Sequence, residues 1–308
     1  MLAKSWQLPR VWLVLVTTLF TVARSAAQAP PQITLSSEQR TQLHDVVSRV
    51  LSHADQVHCK AGRCDVLVAN FADQKGNGSN LGMQLAEEVS KADSFAASRI
   101  RTTPRPMLQS YLESQRIPSV ALKDDDGARW LGRELSADAV LVGHLKLDGP
   151  NLKVELQLLE CGKTLDRGSR KSKTESATIT LPGGPADLTS SEPFGDLPVP
   201  SIGGEIVPKL GKGSGANGHP MKAPSCYRQP DPSYTDDARR VKFNGTLILQ
   251  AIISKDGEIL GVQPLRGAPF GLNRVSVETV RTWKCSPAIQ DGKPITAAVP
   301  VEVSFRLY

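Results

Sequence analysis

Five cysteines and five histidines carry most of the chemical potential of this 308-residue chain, together with one run of aspartates. Cys59 and Cys64 bracket Lys60-Ala61-Gly62-Arg63, a short glycine-containing loop that brings two Cα atoms into bridging range, so a local disulfide is expected there. A rival chemistry is zinc held by His53, His58, Cys59 and Cys64. The ligand types suit that metal, but the spacing matches no standard finger. Cys226 and Cys285 lie in the same C-terminal stretch and form a second candidate pair, leaving Cys161 as the odd thiol.

Catalytic patterns are missing. There is no Gly-x-Ser-x-Gly elbow, His-Glu-x-x-His pair, GxGxxG fingerprint or complete Walker motif. Gly211-Lys212-Gly213-Ser214-Gly215 imitates a phosphate loop, yet no Ser or Thr follows the Gly-Lys pair and no strong strand precedes it. Asp124-Asp125-Asp126 lacks the dispersed oxygen ligands that calcium needs and reads instead as a helix start. His44, His53, His58, His144 and His219 fall on or beside a helix, in a strand and in a linker, where a solvated or satisfied role is expected. The expectation is a protein that is not an enzyme and carries no metal or other cofactor.

Residues 1 to 10 carry two positive charges, Val11 to Ala23 form an apolar run of 13, and Ala27-Gln28-Ala29 is a small-x-small cleavage site. This grammar is that of a signal peptide, residues 1–29, and implies export to a compartment that permits disulfides. An uncleaved inner-membrane anchor is the alternative, but the run is short of the roughly 20 apolar residues a span needs. Lys+Arg 37 against Asp+Glu 31 gives +6; removing Lys4, Arg10 and Arg24 with the leader leaves 34 against 31. The near-balanced remainder contains no block of like charge for counterion release, so nucleic acid is not an expected partner.

The elements that must position these residues fall into two domains of an α+β fold. Ser36 to Gln39 has capping-box spacing, and Leu43, Val46, Val47, Val50, Leu51, Ala54 and Val57 follow at helical intervals. Asp65 to Phe71 reads as a buried strand, then a polar loop from Ala72 to Asn80 and a helix from Leu81 to Ala92. Phe95 to Arg101 reads as a second strand, and Met107 to Ser114 and Ala128 to Leu135 as helices. Ala139 to Leu147 and Leu152 to Leu159 form a hairpin, and Lys171 to Leu181 adds an edge strand. Residues 36–181 are thus an N-terminal mixed α/β domain. Residues 182–224 are rich in Pro, Gly and Ser without apolar periodicity and read as a flexible linker. Residues 225–308 then give a short helix ending at Val241, a strand from Thr246 to Ser254, a turn at Lys255-Asp256-Gly257-Glu258 and a partner strand from Ile259 to Leu265. A helix from Gly271 to Lys284 places Leu272, Val275, Val280 and Trp283 inward. The last strand alternates Val299, Val301, Val303, Phe305 and Leu307 with polar residues, and Pro300, lacking an N–H, puts it at a sheet edge. Two helices on one face of a small antiparallel sheet follow.

From Gln229 to Phe305 this order resembles the C-terminal domain of TonB, the energy-transducer family. The resemblance rests on Pro230 to Tyr234 with Ala238, Gly245, Asp256-Gly257, Leu272, Trp283, Pro287-Ala288, Asp291-Gly292 and the closing strand to Phe305. It implies periplasmic binding of an outer-membrane TonB-dependent transporter peptide, or another envelope protein, by strand addition. Carried over by position, the contact surface is Gln229, Pro230, Val299, Val301, Glu302, Val303, Ser304, Phe305 and Arg306. Contact with the family's inner-membrane proton-driven motor is implied only for an uncleaved N-terminus, and the polar His of the family's membrane helix has no counterpart between Val11 and Ala23. Residues 64 to 160 are more faintly similar to the N-terminal domain of TolB and to curli-associated lipoproteins. That similarity rests on Val66 to Phe71, Leu81-Gly82, Arg101, Leu131-Gly132, Ala137-Asp138-Ala139, Val140 to Gly143 and Leu152 to Leu158.

Overall fold

The alternation of Leu152, Val154, Leu156 and Leu158 with polar neighbours buries one side of a strand, and that strand is central to the first sheet. A computed structural model describes residues 34–52, 63–97, 99–149, 151–162, 173–180, 199–202, 205–210 and 221–307. The leader expected at 1–29, together with His53, His58 and Cys59, lies outside the described residues.

Helix α1 (Ser37–Leu51) opens with the expected capping box: Gln39 donates its N–H to Ser36 Oγ at 3.2 Å, and Ser36 N–H donates to Gln39 Oε1 at 2.7 Å. Strands β1 (Cys64–Val68) and β2 (Ala72–Asp73), helices α2 (Asn80–Ser90) and α3 (Asp93–Ala97), and strand β3 (Ile100–Thr102) follow. Then come α4 (Arg105–Gln115), a short 3-10 helix, α5 (Asp125–Glu134), β4 (Ala139–Asp148), β5 (Asn151–Glu160) and β6 (Glu175–Thr180). The sheet order is β3-β1-β4-β5-β6, with β2 also on β4. The β1 pairs are parallel and β4, β5 and β6 are antiparallel. The strand expected over Phe95 to Arg101 is split. Ala96 and Ala97, strong helix formers, close α3, Phe95 is buried beside α1 and α2, and only Ile100–Thr102 reaches β1.

The second region begins within the stretch read as linker. Here β7 (Ser201–Ile202) pairs with β8 (Glu205–Ile206), and β9 (Met221–Lys222) joins β14 (Ala288–Gln290) and β15 (Lys293–Ile295). Strand β10 (Ser225–Arg228) pairs with β13 (Lys284–Ser286), helix α6 is Asp236–Arg240, and α7 is Leu272–Val280. The main sheet is antiparallel, in the order β12 (Ile259–Arg266), β11 (Gly245–Ile253), β16 (Ala297–Phe305), so β16 is an edge. The helix expected to reach Lys284 stops at Val280, because the chain beyond it turns to pair with β10. Gly257, at φ +84°, makes that close approach possible: a Cβ there would collide with the Cys285 carbonyl.

All described residues belong to one unit, 32–308, and the two regions share a core. Leu67, Leu108, Trp130, Leu131 and Val140 pack in one cluster with Leu249, Phe270, Leu272 and Phe305. The Trp130 and Phe270 rings lie 5.7 Å apart. Buried Asn273 accepts from Ala268 N–H at 2.8 Å and donates to the Gln115 carbonyl at 2.7 Å. Gly267 N–H reaches the Arg116 carbonyl at 2.7 Å, and Arg133 meets Asp237 at 2.8 Å. A second core on the opposite face of the first sheet holds α1 and α2.

Candidate functional site

Strand β16 pairs with β11 from Gly245 opposite Phe305 to Ile253 opposite Ala297 without a register shift. In such a pair, successive residues point their backbone groups alternately toward and away from the partner strand. Ala298 fixes the phase. Its N–H donates to the Pro208 carbonyl at 2.9 Å and its carbonyl accepts from Leu210 N–H at 2.8 Å, both on the side away from β11. Leu307 N–H, of opposite parity, turns the other way, to Asn244 Oδ1 at 3.0 Å. Pro300, Glu302 and Ser304 therefore face outward. Pro300 offers only a carbonyl, while Glu302 and Ser304 each offer a donor and an acceptor.

Beside this edge lies a groove of about 470 Å³. Val299, Val301, Ala251 and Ile253 form its floor, and Cys226, Gln229 and Trp283 stand across from the edge. The far wall is tied down twice. Cys226 and Cys285 form a disulfide between the paired strands β10 and β13, and Trp283 Nε1 donates to the Pro230 carbonyl at 3.1 Å. Apolar floor, polar rim and backbone that no described residue bonds are what an extended segment needs for main-chain pairing with a side chain anchored beneath it.

Of the residues proposed from sequence, Gln229, Val299, Val301 and Glu302 line this groove, and Pro230 is held against its wall by Trp283. Ser304 sits further along the same edge, its hydroxyl 3.0 Å from that of Thr246. Val303 and Phe305 point into the shared core, with Phe305 edge-on to Tyr234 at 5.1 Å, and Arg306 is exposed beyond the strand. Trp283, read from sequence as core, does pack against the core cluster but is half-buried and also lines the groove. Its position two residues before the cysteine of β13 is the signal that could have placed it. Leu210 is the other addition, and nothing in its own neighbourhood of sequence marks it.

Elsewhere, the chemistry-bearing residues have ordinary partners. Asp124 caps α5 by accepting from Gly127 N–H at 2.7 Å, and Arg129 stands 3.8 Å from Asp125 and 3.7 Å from Asp126. His144 borders a cavity of about 50 Å³, room for a few waters at most. Cys161 is free and buried, and burial pushes its thiol pKa up to about 12, so it stays protonated at neutral pH. Cys64 is disulfide-bonded, whereas Cys59, its expected partner, lies outside the described residues. Among the described residues, no cluster of His, Cys, Asp and Glu could hold a metal ion, and no helix is long and apolar enough to cross a membrane.

Residues 230–307 match the family described as the Gram-negative bacterial TonB protein C-terminal domain, in line with the resemblance drawn from sequence. No curated protein matches the chain. Among solved structures, the LpoB C-terminal domain from Salmonella enterica is similar at 13% identity and TM-score 0.33, covering 45% of this chain and 98% of that one. The Pseudomonas aeruginosa TonB C-terminal domain is similar at 20% identity and TM-score 0.24, over 28% of this chain and 94% of its own. Full E. coli LpoB is similar at 14% identity and TM-score 0.36, over 58% and 83%.

Proposed function

We propose that this is an exported, non-enzymatic binding protein of the bacterial periplasm. Its C-terminal region takes up an extended segment of an outer-membrane transporter, or of another envelope protein, as an added strand on β16. The observation that carries this reading is the outward-facing backbone of Glu302 and Ser304, which no described residue bonds, beside an apolar groove in a segment matching the TonB C-terminal family. A role in TonB-dependent transport is the favoured form. The test is titration of the isotope-labelled exported protein with peptides from transporter N-termini. Chemical-shift changes along Val299 to Arg306, largest at Glu302 and Ser304, are expected, and their absence for every peptide counts against strand addition.

A second reading, an envelope assembly or scaffolding module without energy transduction, is favoured by the shared core. With Trp130 packed on Phe270 and Asn273 bonded to Gln115, the docking edge is carried by the N-terminal region rather than presented separately. N-terminal sequencing of the exported protein separates transduction from the rest. A cut after Ala29 removes any link to a proton-driven motor and leaves either transporter binding without transduction or scaffolding, whereas an intact N-terminus in inner membranes favours transduction through such a motor.

A further inference from the structure

One end of the β16 edge already has an occupant. Residues 208–210 run parallel to β16 beside Ala298 and take both of its outward backbone groups, at 2.9 and 2.8 Å. Val207 and Leu210 are buried, and Leu210 packs on Ala288, Ala297 and Val299 while lining the groove. Among the described residues the attachment is a single bridge, and the hairpin before it leaves Ile206 71% exposed. A native segment thus does in miniature what an incoming strand would do: it pairs with the edge and sets one apolar side chain in the groove.

We infer that the Val207–Leu210 strap is a built-in competitor, displaced when a partner strand docks; the inference rests on reading β16 as the docking edge. With the strap seated, the free ladder is confined to Glu302 and Ser304, because Pro300 has no N–H to offer. That is short against a typical strand of about 5–6 residues. Lifting the strap returns both groups of Ala298 and opens the end of the groove that Leu210 fills, so the ladder extends across 298–304. A tethered occupant competes at roughly millimolar effective concentration. Apparent affinity is therefore reduced by the fraction of chains with the strap seated, and segments too short to reach Ala298 gain nothing by displacing it.

The test compares the intact exported chain with two variants, using the transporter peptides named above. Leu210→Pro removes the N–H that bonds the Ala298 carbonyl, and Leu210→Ala empties the groove end without touching the backbone. Both should tighten peptide binding, Leu210→Pro by about fivefold, the equivalent of one net hydrogen bond. In the unaltered chain, peptide should also abolish the exchange protection of the Leu210 amide while protecting Glu302 and Ser304. Equal affinity for all three chains, with the Leu210 amide still protected in the complex, overturns the strap while leaving docking intact. Failure of every chain to bind overturns the docking reading and the strap with it.

Discussion

The two sheets treat their edges differently. In the first, helix α1 runs alongside β6 and is tied to it at both ends, by Gln39 Nε2 to the Thr180 carbonyl at 2.6 Å and by Arg49 to Glu175 at 3.2 Å. At its other side β3 is only three residues long, with Arg101 Nε and Nη2 bonded to Asp65 at 2.6 and 2.8 Å. Short or covered edges are the usual defence against unwanted pairing. In the second sheet β16 runs nine residues, and among the described residues its covers are one bridge at Ala298 and a proline at position 300. The contrast teaches that the N-terminal region is built as a closed support, whereas the second sheet leaves an edge strand, β16, on which the same chain covers only some of the backbone groups.

The largest way to break this contrast is through the core that the two regions share. Trp130→Ala should cost about 3–5 kcal/mol, and thermal unfolding followed by probes in each region should still give one transition. Separate transitions would mean that support and edge are independent. Reducing the Cys226–Cys285 disulfide, which spans 59 residues, should cost about 2–4 kcal/mol on the chain-entropy account. Because it anchors the groove wall, peptide affinity should fall with it, as calorimetry with and without reductant would show. Asn273→Ala leaves the Gln115 carbonyl and Ala268 N–H without their partner and should destabilise by about 1–3 kcal/mol in denaturant melts. Smallest in stability but aimed at the edge itself, Ser304→Pro removes an outward N–H that no described group uses. Folding should change little while peptide binding weakens about fivefold, one net hydrogen bond.

The hairpin of β4 and β5 was legible because alternation is a local signal of one buried face, and the edge position of β16 because Pro300 cannot donate wherever the strand sits. The capping box at Ser36 and the Asp124 cap were likewise written in adjacent residues. What escaped was non-local. The Cys226–Cys285 pairing foretold where β10 meets β13, but the pairing of Lys209 with Ala298 joins distant stretches of chain that carry no periodic pattern. The shared core was hidden for a related reason: Trp130 and Phe270 each satisfy the pattern of their own element, and nothing in either marks the other as neighbour. Trp283, placed inward by helical spacing, does pack against the core, but its indole N–H needed an acceptor and found one at the Pro230 carbonyl.

The central claim is that β16 presents alternate backbone groups to solvent, and amide hydrogen exchange of the unliganded protein measures it directly. Val301 and Val303, facing β11, should exchange slowly, Ala298 should be protected by the strap, and Glu302 and Ser304 should exchange fast until a partner peptide is added. Equal protection of Glu302, Ser304 and their neighbours before any peptide is present would mean that the edge is closed, and would contradict the account.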